Sequence, residues 1–193
     1  MIDPQTKGRL QLALIGIIFV GPLLLAYLLY NSDSGWIPAA GTQHGLLLDP
    51  PRLLPDTVLT PGSDTDGPKF RGKWSLIIIA EGRCTETCKN ALYETRQVRR
   101  ALGRDDGRVQ RVLYDESDEL DPAFLEREHP TLVIVEPGSR VSRELILVFG
   151  DQISGDIFLA DPLGNLIMRF PQGTGMKDMH KDLKHLLKVS HIG

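Results

Sequence analysis

The chain has 193 residues, with 22 Lys and Arg against 25 Asp and Glu, and a formal net charge of −3. Acids and bases are interspersed, which excludes the basic footprint of a nucleic-acid binder. Two cysteines are present, too few for a framework of structural disulfides.

Residues 10–30 read LQLALIGIIFVGPLLLAYLLY, with no charge and only Gln11 strongly polar. At ~1.5 Å per residue the run covers about 30 Å, the thickness of a bilayer core. Gly21-Pro22 would break a soluble helix, but membrane helices tolerate such a pair. Tyr27, Tyr30 and Trp36 stand where an interfacial aromatic belt belongs. A cleaved signal peptide has a core of ~7–15 residues and a small-x-small site. This core is longer, and Pro38-Ala39-Ala40 is a poor site, so the run reads as an uncleaved transmembrane anchor. Lys7 and Arg9 precede it, and the next basic residue after it is Arg52. The positive-inside rule then places residues 1–9 in the cytoplasm and everything after the span outside it.

Residues 31–68 are rich in Pro, Gly, Asp, Ser and Thr, and their prolines rule out a long helix. They read as an extended extracytoplasmic linker, with a short strand at 57–60. His44 within it is expected to be solvated, yet it is one of few histidines outside the span and remains a candidate ligand.

The globular domain is expected over 69–193, long enough for a single core. Trp74–Ala80 is apolar at nearly every position, as a central parallel strand is. Gly82 ends it. The two cysteines follow in Cys84-Thr85-Glu86-Thr87-Cys88, at a strand-to-helix junction. Thr85 or Thr87 can cap the helix, and Ala91, Leu92, Thr95, Val98 and Leu102 recur at helical spacing up to Gly103. A strand at 109–114 follows, then a short helix at 121–128 with Pro122 at its first position. Residues 131–135 carry too little pattern for an assignment, and 144–149 read as a strand. The segment 156–170 is a hairpin turning at Asp161-Pro162-Leu163-Gly164. Met176–Val189 closes the chain as an amphipathic helix with Met179, Leu183, Leu186 and Leu187 on one face. This order suggests an α/β sandwich around a mixed sheet.

Thiols at the N-terminus of a helix are stabilised as thiolates by the dipole and the free N–H groups, and Arg83 and Lys89 add positive charge. Cβ atoms four apart on a helix lie about 5–6 Å from each other, whereas a disulfide wants about 3.5–4.5 Å. The pair therefore closes only if Cys84 lies in the loop before the helix. A reversible disulfide and a soft-metal site both suit this spacing, Cu(I) or Zn being the metals that thiolates select. Zinc demands four ligands, and no convincing third or fourth is present. Met168, His44 and His129 are the candidate additions; core packing for Met168 and solvation for the two histidines are their ordinary explanations. His180, His185 and His191 belong to the terminal helix and tail. Glu81 and Glu86 flank the pair, as proton shuttles or, for Glu86, as a cap.

The cysteine pair after the first long strand resembles the thioredoxin superfamily. Within it, Arg71-Gly72-Lys73-Trp74, Cys84-Thr-Glu-Thr-Cys88 and Leu159-Ala-Asp-Pro-Leu-Gly164 resemble the Sco/SenC family of membrane-anchored cytochrome oxidase assembly proteins. The resemblance implies a thioredoxin-like mixed sheet flanked by helices, preceded by one transmembrane helix. It implies a function in assembling the copper centre of cytochrome c oxidase, by Cu(I) handling or thiol reduction through Cys84 and Cys88. An oxidase subunit or assembly factor would be the partner, and the bacterial inner membrane the location, with the C-terminal domain periplasmic. Two departures stand out. Thr85 and Lys89 occupy the positions where the family has prolines. The family's copper-ligand histidine, and the superfamily's cis-proline, are both missing before the hairpin, where this chain reads Phe149-Gly-Asp-Gln-Ile-Ser-Gly-Asp156. A metal-independent periplasmic thiol–disulfide oxidoreductase and a non-catalytic oxidase-assembly scaffold are the alternatives.

Overall fold

The computed structural model describes residues 4–31, 43–59, 67–80, 84–115, 121–149 and 155–193. They fall into two compact units that divide between Thr42 and Gln43. The first is the helix α1 (Pro4–Asn31), with Pro22 inside it and Ile15, Ile17, Phe19, Leu23 and Leu28 among its exposed residues. Among the described residues no helix is long and apolar enough to cross a membrane.

The second unit is a six-stranded sheet in the order β1-β6-β5-β2-β3-β4. Its strands are β1 (Leu46–Leu53), β2 (Trp74–Ala80), β3 (Val109–Asp115), β4 (Leu132–Val135), β5 (Ile157–Ala160) and β6 (Asn165–Phe170). β2, β3 and β4 run parallel, while β5 and β6 form an antiparallel hairpin that pairs with β2. Every residue of β2 is buried, which is why its sequence shows no alternation. The helices are α2 (Glu86–Ala101), α3 (Pro122–Glu128), α4 (Arg140–Phe149) and α5 (Met176–Val189), with a short 3₁₀ turn at Gly103–Arg108. One face of the sheet, through Leu76, Ile78 and Leu159, packs on Leu92 and Val98 of α2, Leu125 of α3, and Met179 and Leu183 of α5. The other, through Ile77, Ile79 and Phe158, packs on Val141, Leu145 and Phe149 of α4. This is the sandwich the sequence suggests.

Several expectations are corrected. The strand expected at 144–149 is the second half of α4: Val141, Leu145 and Phe149 are buried four residues apart, and Arg140 reaches Glu144 at 2.9 Å. Part of the stretch read as a linker is strand β1, which lies on the sheet edge. Its ladder pairs Leu46 and Leu47, then Arg52 and Leu53, with β6, and Pro50 and Pro51 fall in the register break between them. Missing N–H donors are tolerated at an edge and a bulge. Further along, Val58 bridges Lys69, so only an isolated bridge stands where a strand was expected at 57–60; Thr60 lies outside the described residues.

His44, at the start of this edge, is not merely solvated. Its ring Nδ1 lies 2.9 Å from Asp182 of α5 and its Nε2 3.3 Å from Asp178. Asp182 also accepts the backbone N–H groups of His44 and Gly45, at 2.7 and 2.9 Å. A buried carboxylate accepting several donors ties β1 to α5.

Candidate redox site

β2 ends at Ala80 and α2 starts at Glu86, so the chain must turn between a buried strand and a helix N-terminus. Cys84 lies in that turn and Cys88 in the first turn of the helix. Thr85 is the N-cap, in extended conformation, and makes no side-chain cap bond. Because Cys84 is off the helix, the two Cα atoms are 5.2 Å apart and the sulfurs are joined as a disulfide. Cys84 is 9 % exposed and Cys88 1 %, so Cys84 is the outer sulfur.

The charges around the pair differ from the expectation. Glu86 points to solvent, 85 % exposed, and its carboxylate takes the ammonium of Lys89 at 2.9 Å. It neither caps the helix nor turns toward the sulfurs, and it offsets the charge that Lys89 would lend them. The α2 N-terminus is then the source of thiolate stabilisation that the described residues supply. Glu81, Gly82 and Arg83 lie outside the described residues.

The opposite wall comes from the segment before the hairpin. Gly155 sits there at φ +90, its N–H donating to Ile79 O at 3.3 Å. A Cβ at this position would come within 3 Å of the methyl of Thr87, between the cysteines, and of the Gln172 amide. Only glycine combines that backbone conformation with that approach. Asp156 beside it is buried and bonded to Arg169 Nε and to the Gln172 N–H, which fixes the turn after β6 against the same wall. Asp115, also buried, ends β3 in register with Ala80. Sequence reasoning did not single out Gly155, Asp156 or Gln172. A Gly-Asp pair just before a hairpin and a Gln-Gly pair just after it were the available signals.

The candidate extra ligands are elsewhere. Met168 is a core residue of β6, packed against Gly45. His44 is held by two aspartates of α5. His129 is not solvated, as expected, but buried at 4 % exposure between Arg111 and the Phe124 ring. Burial, then the charges of Arg111 and Arg96, lower its pKa to about 4, so it is neutral at pH 7. His180 lies on α5, its Nε2 3.3 Å from Ala101 O. Among the described residues no group of three or more His, Cys, Asp or Glu is placed to hold a metal ion. Among the described residues the donors at the junction are the two cysteine sulfurs. Reduced to thiolates, they suit Cu(I) by softness and fall short of the four ligands of structural zinc.

Residues 74–190 match the family described as transmembrane-like, thioredoxin-like, C-terminal domain. Among curated proteins none matches by sequence. Solved structures share the fold. Apo Sco1 of Thermus thermophilus superposes with a TM-score of 0.57 at 19 % identity, covering 77 % of this chain and 99 % of that one. A DsbF homologue of Corynebacterium diphtheriae gives 0.53 at 14 % identity, covering 77 % and 96 %. Yeast Sco1 with copper bound gives 0.51 at 17 % identity, covering 63 % and 79 %.

Proposed function

The chain belongs to the transmembrane-like, thioredoxin-like C-terminal domain family, and we propose from that premise that it is a membrane-anchored thiol–disulfide protein serving the copper centre of cytochrome c oxidase. The observation that carries the thiol chemistry is the Cys84–Cys88 pair closed at the N-terminus of α2 with Cys84 outermost. In the reduced protein the Cys84 thiolate attacks one sulfur of a target disulfide. A mixed disulfide forms and one target thiolate leaves. Cys88 then attacks Cys84 Sγ, closing the internal disulfide and releasing the second target thiol. Two electrons and two protons pass to the target, and an external dithiol returns this protein to its reduced form. The oxidase as destination rests on the Sco-like motifs and on the shared fold. The anchor rests on the uncharged run at 10–30, with Lys7 and Arg9 before it, a pattern that supports an extracytoplasmic domain; the Sco-like resemblance makes the bacterial periplasm the compartment in this reading.

The experiment is a redox titration of the full chain in glutathione buffers, read by alkylation of free thiols. A single two-electron transition lost in Cys84→Ser supports the reading. Thiols that never reoxidise would point to a scaffold that retains the fold without the chemistry.

A second reading follows from the two-sulfur donor set: Cu(I) as cargo, held between the Cys84 and Cys88 thiolates before delivery. Yeast Sco1, which shares the fold, has been solved with copper bound. With no third donor at the pair among the described residues, this chain binds Cu(I) more weakly than a three-ligand site and Cu(II) more weakly still, since Cu(II) prefers nitrogen and oxygen ligands. A Cu(I) competition titration of the reduced protein, with a Cys84→Ser/Cys88→Ser control, tests it. Equal binding by the control would remove the cysteines from the site.

A further inference from the structure

The C-terminal half of α2, β3 and the segment leading into β4 enclose a second polar site. Arg111, in β3, is 1 % exposed. A buried guanidinium needs a counter-charge and acceptors for five N–H donors. Among the described residues Arg111 has no carboxylate partner. Its contacts are Leu92 O at 3.3 Å, His129 Nδ1 at 3.3 Å and Thr131 Oγ1 at 3.5 Å, all long, and its Nε has none. His129 is neutral and adds no negative charge.

The neighbours make the imbalance larger. Arg96, Arg99 and Arg100 lie three and four residues apart on α2 and turn the same way. Burial first, then Arg99, Arg96 and Arg100, lower the pKa of Arg111 to about 10, which leaves it charged at pH 7. Among the described residues one carboxylate pairs with these four guanidinium groups, Glu128 at 3.2 Å from Arg96; Asp106 lines the cavity, and its backbone O accepts from Arg99 Nε at 3.1 Å. Asp105 is taken by Arg108. The groups surround a cavity of about 210 Å³, lined by Arg96, Arg99, Arg100, Arg111, Asp106 and Thr131 among others. The Nε of Arg96 is a second buried donor with no partner. Thr131 Oγ1 accepts from Arg99 at 2.8 Å and from Arg111. With both acceptor positions used, its own hydrogen is free to donate.

We propose that this cavity binds a phosphate-type oxyanion, held by Arg96, Arg99, Arg100, Arg111 and the Thr131 hydroxyl. Guanidinium groups are the side chains that best match phosphate oxygens. Here they approach from a helix on one side and a strand on the other. A phosphate offers more acceptor oxygens and a larger negative charge than the two oxygens and single charge of a carboxylate, which suits four guanidinium groups better. The cavity has room beyond a bare phosphate, so a phosphate ester, soluble or carried by a lipid headgroup, is the class of ligand. Neither Cys84 nor Cys88 belongs to this cavity's lining.

The test uses the full chain in a neutral detergent, titrated with inorganic phosphate at constant ionic strength against chloride and followed by thermal midpoint and calorimetry. Saturable binding by phosphate, weakened at least tenfold in Arg99→Gln/Arg100→Gln, is the expected result. Those two side chains are half-buried and exposed, so the variant keeps its fold; Arg111→Met is added where it folds. Redox titration of Cys84 and Cys88 should be unchanged in the double variant. Glycerol 3-phosphate and short-chain phosphatidic acid then compete for the bound phosphate, and the stronger competitor identifies a soluble ester or a lipid as the source. A phosphate response no larger than that of chloride, or one equal in the wild type and the double variant, overturns the proposal.

Discussion

Gly155 shows how a single residue sets the depth of the redox site. Its positive φ and its approach to Thr87 leave no space for a side chain. Gly155→Ala should destabilise the fold by about 1–3 kcal/mol, from overpacking and the unfavourable backbone conformation. Urea unfolding at pH 7 measures this; an unchanged midpoint would mean that the wall yields easily. His129 gives a prediction in pH. Its pKa is lowered from 6.5 to about 4 in the folded protein. Between these values the unfolded chain binds the proton and the folded protein resists it, so stability falls as pH drops from about 6.5 toward 4. Above 6.5 the contribution is constant. His129→Gln should flatten that part of the stability profile, measured by urea midpoints over the same range, if this residue is its source.

Among the elements, those with a strong period and clear end signals were legible from sequence. Asp121 accepts the Ala123 N–H at 3.0 Å and Pro122 starts α3, as its Asp-Pro opening indicates. Asp161 accepts from the N–H groups of Leu163 and Asn165, at 2.9 and 2.8 Å, which locks the hairpin turn read from Pro162 and Gly164. In sequence the second half of α4 looks like a strand because Leu145-Ile-Leu-Val-Phe149, taken alone, is as apolar as a buried strand. Its helical period emerges only when Val141 is counted, and Ser139, whose Oγ accepts the Ser142 N–H at 3.1 Å, caps its start. β1 was hidden by prolines that a central strand could not carry but a bulged edge can. Its hold on α5 through Asp182 predicts that Asp182→Ala frees this edge. Amide exchange at Leu46 and Leu47 should then accelerate well beyond that of β2, whereas uniform acceleration would show a global loss of stability instead.

At the scale of the whole molecule, the cysteine junction was legible because both cysteines of the chain fall between a buried strand and a helix. What brings Gly155, Asp156 and Gln172 against it is the order of the sheet, which sets β5 beside β2. Such pairings over long sequence distances leave no local pattern. Topology is predicted separately: a reporter active only outside the cytoplasm, fused after Gly193, should work, since the basic residues near the apolar run precede it. Activity of a cytoplasmic reporter at the same position would reverse the compartment and the redox setting with it.

The central claim is that Cys84 is the attacking thiol and Cys88 the resolving one. It rests on the outer position of Cys84 in the turn and the burial of Cys88 in α2. The direct measurement is mass spectrometry of the full chain carrying Cys88→Ser or Cys84→Ser after exposure to oxidised glutathione. Cys88→Ser should accumulate a stable glutathione mixed disulfide on Cys84, because nothing resolves it, while Cys84→Ser stays unmodified over the same time. Trapping on Cys88 instead, or no adduct in either variant, would contradict the account.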